Sequence, residues 1–151
     1  MAESAIQQAE PALDLGRLSP LVGFHLRMAS AAIARDFAVE VADLDITQKQ
    51  YAVLELIAAN HGVSQVDLAR ALGTDRATMM ALVDRLEARS LLVREPSSHD
   101  RRRQDLLLTV AGDGLLAEAR RRIARHERRF TARLGSAGTG QLLALLQRLT
   151  G

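Results

Sequence analysis

The stretch from Val66 to Leu86 constrains the chain most: it reads as two short helices joined across one glycine, Gly73. Helices this close in sequence must cross at a small residue and turn through a backbone conformation that favours glycine. Ala69 and Gly73 meet those needs, and Met79 and Leu82 give the second helix an apolar inner face. The stretch fits a helix-turn-helix, in which the second helix offers its outer face to a partner. An ordinary helical hairpin in a core satisfies the same pattern, so the flanking segments decide.

Upstream, residues 1–17 are polar, interrupted by Pro11, and read as a loose arm. Ser19 and Pro20 suit an N-cap and first helical position, which predicts a helix from Pro20 to about Ala42. Thr47 to Gln50 fits a capping box, with Ile46 and Tyr51 as a hydrophobic staple, opening a second helix to about Asn60 that Gly62 ends. Ser64 to Asp67 repeats the device for a third helix reaching about Leu72. Thr74 is expected to cap a fourth, to about Arg89, whose Met79, Leu82, Val83 and Leu86 recur at helical spacing.

Downstream the period changes. Leu91 to Arg94 and Asp105 to Leu108 read as strands, and Glu95 to Gln104 between them holds Pro96, two serines and Arg101-Arg102-Arg103. A hairpin with a long basic tip fits this better than a helix. Thr109 would cap a fifth helix to about Leu134; Gly135 to Gly138 breaks it, and Gln141 to Leu149 forms a last short helix.

Net charge is only +2, yet it is unevenly placed. Residues 1–69 hold four basic and nine acidic side chains, whereas residues 70–133 hold fifteen basic and nine acidic. Nearly all the basic residues are arginine, whose planar fork matches phosphates and guanine edges. A localised basic segment in a nearly neutral chain points to a polyanion, here a nucleic acid. The face of the fourth helix would present Arg76, Thr78, Ala81 and Arg85 to a major groove. Arg76 suits a bidentate guanine contact, and Thr78 a phosphate or a thymine methyl. The basic hairpin tip can reach a minor groove. A solvated turn is the alternative for those arginines.

These segments together resemble the MarR-type winged helix-turn-helix regulators. The likeness rests on Leu68 to Leu72, Leu82 to Glu87, Pro96 leading into Asp100-Arg101-Arg102, and Leu108-Thr109 followed by Gly112. It runs over roughly residues 18–149. The resemblance implies that Asp100 holds the wing in shape, that Arg102 enters the minor groove, and that the chain forms a homodimer. Two departures stand out: Ser90 occupies a position where the family usually has glycine, and Ala81 one where a larger polar residue is common.

The expected fold is all-α with a small two-stranded β-wing, a winged helix-turn-helix domain plus a helical dimerisation region. Its divisions are a flexible arm (1–17), a dimerising first helix (18–46), the DNA-binding domain (47–109) and dimerising C-terminal helices (110–151). The expected DNA-binding set is Ser64, Thr74, Arg76, Ala77, Thr78, Met80, Arg85, Arg101, Arg102 and Arg103. The partner is double-stranded DNA with a pseudo-palindromic operator. Leu116, Ala119, Ile123, Phe130 and Leu134 form an apolar stripe on the fifth helix, expected at the dimer interface. Arg122, Arg125, Arg129 and Arg133 share one side of that helix, read as a solvated face or as extra DNA-backbone contacts.

The family often binds small aromatic carboxylates. Phe24, His25, Met28 and Tyr51 are candidates to line such a pocket, with Arg17 or Arg27 meeting an anion, and the same residues also fit a plain core. His25, His61, His99 and His126 lack ligand spacing, so no metal or other cofactor is expected. No nucleophile or paired carboxylate converges, so an enzyme is not expected. A winged helix serving only protein contacts is the other rival, and the basic wing speaks against it. With no cysteine, no secretory signal and no long apolar run, a cytoplasmic location without membrane contact is expected.

Overall fold

The computed structural model describes residues 13–98, 100 and 102–151. Contacts divide the chain inside its first helix into two compact units, one ending at Ile33 and the other starting at Ala34. The first unit contains a 3-10 turn, Gly16–Leu18, and the start of α1 (Val22–Glu40). Pro20 does not open that helix: Leu21 intervenes, and the N–H groups of Phe24 and His25 bond the Leu21 carbonyl. The segment expected to be a loose arm is therefore partly a helical turn next to α1.

In the second unit α2 (Gln48–Ala59) and α3 (Gln65–Ala71) both start in complete capping boxes, at Thr47–Gln50 and Ser64–Asp67. Gly73 takes a left-handed φ of 59°, turning the chain into α4 (Arg76–Ala88). The cap of α4 differs from expectation. Asp75 accepts from the Thr78 N–H, while the Thr74 hydroxyl donates back to the Leu72 carbonyl at 3.3 Å. A carboxylate is the stronger acceptor for a helix N-terminus, so the cap moves one residue on.

The two strands, β1 (Leu92–Pro96) and β2 (Gln104–Leu108), pair antiparallel with Val93 opposite Leu107. Pro96 ends β1 opposite Gln104, and the tip is accordingly shorter than expected. Val93 and Arg94 of the hairpin lie toward the surface, whereas Leu92 and Leu106 are buried. Leu92 and Leu106 join Val53, Leu54 and Ile57 of α2, Leu68 of α3 and Met79, Val83 and Leu86 of α4 in one core. The Leu106 N–H also bonds the Val63 carbonyl, which ties the hairpin to the α2–α3 turn.

Ser90, where the family usually has glycine, stands at φ 56°, in the left-handed region that disfavours a side chain. Its carbonyl accepts from the Thr109 hydroxyl at 2.6 Å, and Thr109 caps α5 (Val110–Thr150). A Cβ on Gly112 would lie 1.9 Å from the Leu91 carbonyl oxygen, so only glycine lets α5 start this close to the hairpin. α5 is broken at Gly135 (φ 68°, ψ 171°), and the helix resumes at once rather than after a four-residue loop.

One expectation about α5 is overturned. Leu116 is 1% exposed and belongs to the helix-turn-helix core, and Ala119 packs with Phe37, Val41 and Ile46. This half of the apolar stripe is used inside one chain. The exposed leucines lie later, at Leu134, Leu142, Leu143, Leu145 and Leu149. No helix among the described residues is long and apolar enough to cross a membrane.

Candidate nucleic-acid interface

α4 buries Met79, Leu82, Val83 and Leu86 and leaves Arg76, Ala77, Thr78, Met80, Ala81 and Arg85 exposed. The inner face is fixed by the core, so the outer face follows without adjustable parts. Met80 is half exposed and apolar, suited to a thymine methyl rather than to a polar edge. At the far end Arg94 of β1 reaches Asp84 (2.5 Å) and Glu87, anchoring α4 to the hairpin. Arg89 donates to the carbonyls of Asp45 (2.5 Å) and Leu44 (3.0 Å), anchoring it to the turn before α2.

Described residues of the wing tip bond to one another. Asp100 accepts from the Arg102 N–H through its side chain and from the Arg103 N–H through its carbonyl, both at 2.9 Å. Ser97 closes the turn by donating to the Arg103 carbonyl. Arg101 lies outside the described residues.

Two residues of the expected DNA-binding set are engaged within the protein. Ser64 is buried, and its hydroxyl is spent within the α3 capping box, donating to Asp67 at 2.8 Å. Its side chain is therefore a cap, not a DNA-facing group. Arg103 ion-pairs with Asp67 and donates to the Gly62 carbonyl at 3.3 Å, with Asp105 3.9 Å away. It fastens the wing to α3 while staying partly exposed in the groove between them. The Asp67 carboxyl sits below the ordinary carboxylate range because the Ser64 N–H bonds it first, then the Ser64 hydroxyl, then the charges of Arg103 and Arg70.

The arginines of this lobe consequently fall into two sets. Arg94 and Arg103 are held in ion pairs, while Arg70, Arg76, Arg85 and Arg102 make none among the described residues. Arg70 and Arg102 line one open groove of about 700 Å³ between α3 and the wing, beside Gln65 and Gln104. A groove with two unpaired guanidiniums suits a sugar-phosphate strand.

Three of the four α5 arginines read as sharing one side are ion-paired within the chain. Arg122, Arg125 and Arg129 pair with Asp43, Glu40 and Asp36, and Arg120 grips Glu55 with two bonds of 2.9 and 2.7 Å. They form an intrachain ladder along a face that stays exposed at Arg125 and Arg129, while Arg133 lies over the Phe130 ring. Hydrogen bonds from Arg129 hold the carboxyls of both Asp36 and Glu40 below their ordinary values; His126 adds to this at Asp36, and Arg125 at Glu40. His126 is itself buried, 2.6 Å from Asp36 and packed on Phe37 and Phe130. The ladder was readable: the spacing of Asp36, Glu40 and Asp43 mirrors that of Arg122, Arg125 and Arg129. Arg94 and Arg103 carried no such signal, because no repeated spacing matches them to Asp84, Glu87 and Asp67.

The candidate pocket residues are split between the units. In the first, Phe24 meets the His25 ring edge-on at 5.3 Å and the Arg27 guanidinium at 5.9 Å. His25 Nε2 lies 2.8 Å from the Ser19 carbonyl, while Met28 and Arg17 are exposed. In the second, Tyr51 donates to Glu55 at 2.6 Å and packs on Phe37. Burial, then the Glu55 carboxylate, pushes its phenol well above the usual value.

Residues 44–103 match the model of the MarR family. Over 135 residues the chain is 38% identical to a protein of Thauera aromatica assigned as transcriptional regulator of the hcr operon, covering 89% of this chain and 81% of that one. Among solved structures it is similar to the transcriptional repressor CouR bound to a 23-mer DNA duplex, with TM-score 0.88, 39% identity, and coverage of 93% and 100%. It is also similar to CouR bound to p-coumaroyl-CoA, with TM-score 0.84, 38% identity, and coverage of 92% and 98%.

Proposed function

The chain belongs to the MarR family, and on that footing we propose that it is a homodimeric repressor that reads a pseudo-palindromic operator and is released by a small ligand. The observation that carries the reading is the division of its arginines. Those that build the lobe are neutralised by acids, and among its described residues Arg70, Arg76, Arg85 and Arg102 make no ion pair and sit on α3, on α4 and at the wing. In this reading α4 enters the major groove, Arg76 and Arg85 meet bases or phosphates, and Arg102 reaches the minor groove. The exposed leucines of residues 136–150 give the second copy an apolar surface to bury.

For the ligand, the likeness to CouR bound to p-coumaroyl-CoA favours an aromatic acyl-CoA thioester. Such a molecule joins an aromatic group to several phosphates, and Phe24, His25 and Arg27 offer chemistry for both. The test has two steps. Selection from a random duplex library should return an inverted repeat with half-sites about 10 bp apart. Fluorescence anisotropy on that duplex should then show release by p-coumaroyl-CoA, but not by free coenzyme A or p-coumarate alone. No recovered motif from folded protein refutes DNA reading. A motif unaffected by the thioester removes only the ligand class.

A further inference from the structure

Within the proposed role of α4 as a DNA reader, one side chain has a hydrogen-bond polarity that limits what it can read. Thr78 lies in the first turn of α4 and is exposed. Its hydroxyl is 2.6 Å from Asp75 Oδ2, and its backbone N–H donates to Asp75 Oδ1 at 2.9 Å. The Thr78 hydroxyl, followed by the Thr78 N–H, holds the Asp75 carboxyl below its ordinary value, so it is ionised at neutral pH. An ionised carboxylate only accepts, and a hydroxyl has one proton. That proton is therefore committed to Asp75.

What Thr78 can turn toward DNA is a pair of oxygen lone pairs and a methyl group. A phosphate oxygen is itself an acceptor and cannot bond to them unless the hydroxyl turns away from Asp75 Oδ2. Guanine O6 and N7 and thymine O4 fail for the same reason. The hydrogen-bond donors that base pairs display in the major groove are exocyclic amines, N6 of adenine and N4 of cytosine. Spacings of three and seven residues put Ala81 and Arg85 on the same side of α4 as Thr78, and Ala81 is too short to shield it.

We propose that the Asp75–Thr78 pair is an acceptor-only reading head, with Thr78 the contacting residue, that selects an adenine or cytosine amino group at one position of each half-site. In place of the phosphate or thymine-methyl contact expected of Thr78 stands a contact to a base amine, and Asp75 becomes a positioning residue for specificity.

Operator selection with wild type, Thr78→Val, Thr78→Ser and Asp75→Asn tests this, with melting curves confirming that each variant is folded. Wild type should prefer an amine-bearing base at one symmetric position, and the selected sequence itself separates adenine from cytosine. Thr78→Val keeps the shape but loses the acceptor, and should lose roughly three- to tenfold of the preference there. Its salt slope and random-duplex affinity should not change. Thr78→Ser should keep the preference. In Asp75→Asn the side-chain carbonyl would still accept from the Thr78 N–H, but the amide would donate to the Thr78 oxygen and free the hydroxyl proton. That variant should therefore move the preference at that position toward an acceptor-bearing edge.

Three results overturn the proposal. Thr78→Val retaining the wild-type preference is one. Equal loss on selected and random duplexes, with a salt slope lower by about one, marks a phosphate contact instead. Loss of the preference in Thr78→Ser marks a methyl contact. If wild type itself selects no motif, the DNA-reading function fails and this inference with it.

Discussion

Arg76 and Arg102 carry the same charge on different supports, and their removal should be felt differently. Arg76 sits at the first position of α4, whose register is fixed by four buried side chains. Arg76→Ala should cost about 1–3 kcal/mol at one base pair and leave random-duplex binding nearly intact. Arg102 extends from a turn held by Asp100. Arg102→Ala should weaken all duplexes and lower the salt slope by about one, measured by anisotropy between about 50 and 200 mM salt. A slope unchanged within error would remove the wing from the contact surface. Ser90 offers a stability test independent of DNA. It is held at φ 56°, where a side chain is strained by about 1 kcal/mol. Ser90→Gly should raise the urea midpoint by the equivalent of about 0.5–1 kcal/mol, and a lowered midpoint would contradict the strain. The residue types needed for this site were legible in the sequence, but their commitments were not. Arg103 and Arg102 are adjacent and identical in chemistry, yet only the fold brings Asp67 to the first of them.

Elements were legible wherever the signal is local. The capping boxes at Thr47 and Ser64, the glycine turn at Gly73 and the cap at Thr109 all rest on residues within four positions of one another. Misreadings arose where two local signals competed, as at Thr74 and Asp75, or where tertiary packing decided, as at Leu116. The ladder that α5 makes with α1 and with Asp43 in the 3-10 turn Ala42–Leu44 makes its own prediction. Asp36, Glu40 and Asp43 have folded-state values below the ordinary 3.8 and 4.5. A lowered value means the unfolded chain takes up protons first on acidification. The ladder's contribution is therefore complete above about pH 5 and lost as pH falls through the ordinary carboxylate range toward the lowered values. Urea midpoints from about pH 7 to 3 should fall more steeply for wild type than for Asp36→Asn/Glu40→Gln. Parallel curves would show the ladder to be energetically idle.

At the scale of the whole molecule, the buried half of α5 and its exposed half carry different burdens. Leu116→Glu places a charge in the core that holds α4, so it should unfold the DNA-binding lobe rather than separate two copies. Leu142→Glu/Leu145→Glu alters side chains that are 41% and 54% exposed, so the lobe should melt as wild type while sedimentation reports a monomer. A dimer surviving that double change would place the interface elsewhere. Between the halves stands Gly135, with a φ of 68° and ψ of 171° that only glycine adopts readily. Every missense change at that codon puts a side chain on this backbone while leaving the lobe's own contacts untouched. A genetic screen for lost repression should therefore return Gly135 alleles whose product is made at normal abundance, binds a single half-site weakly, and fails to assemble on the full operator.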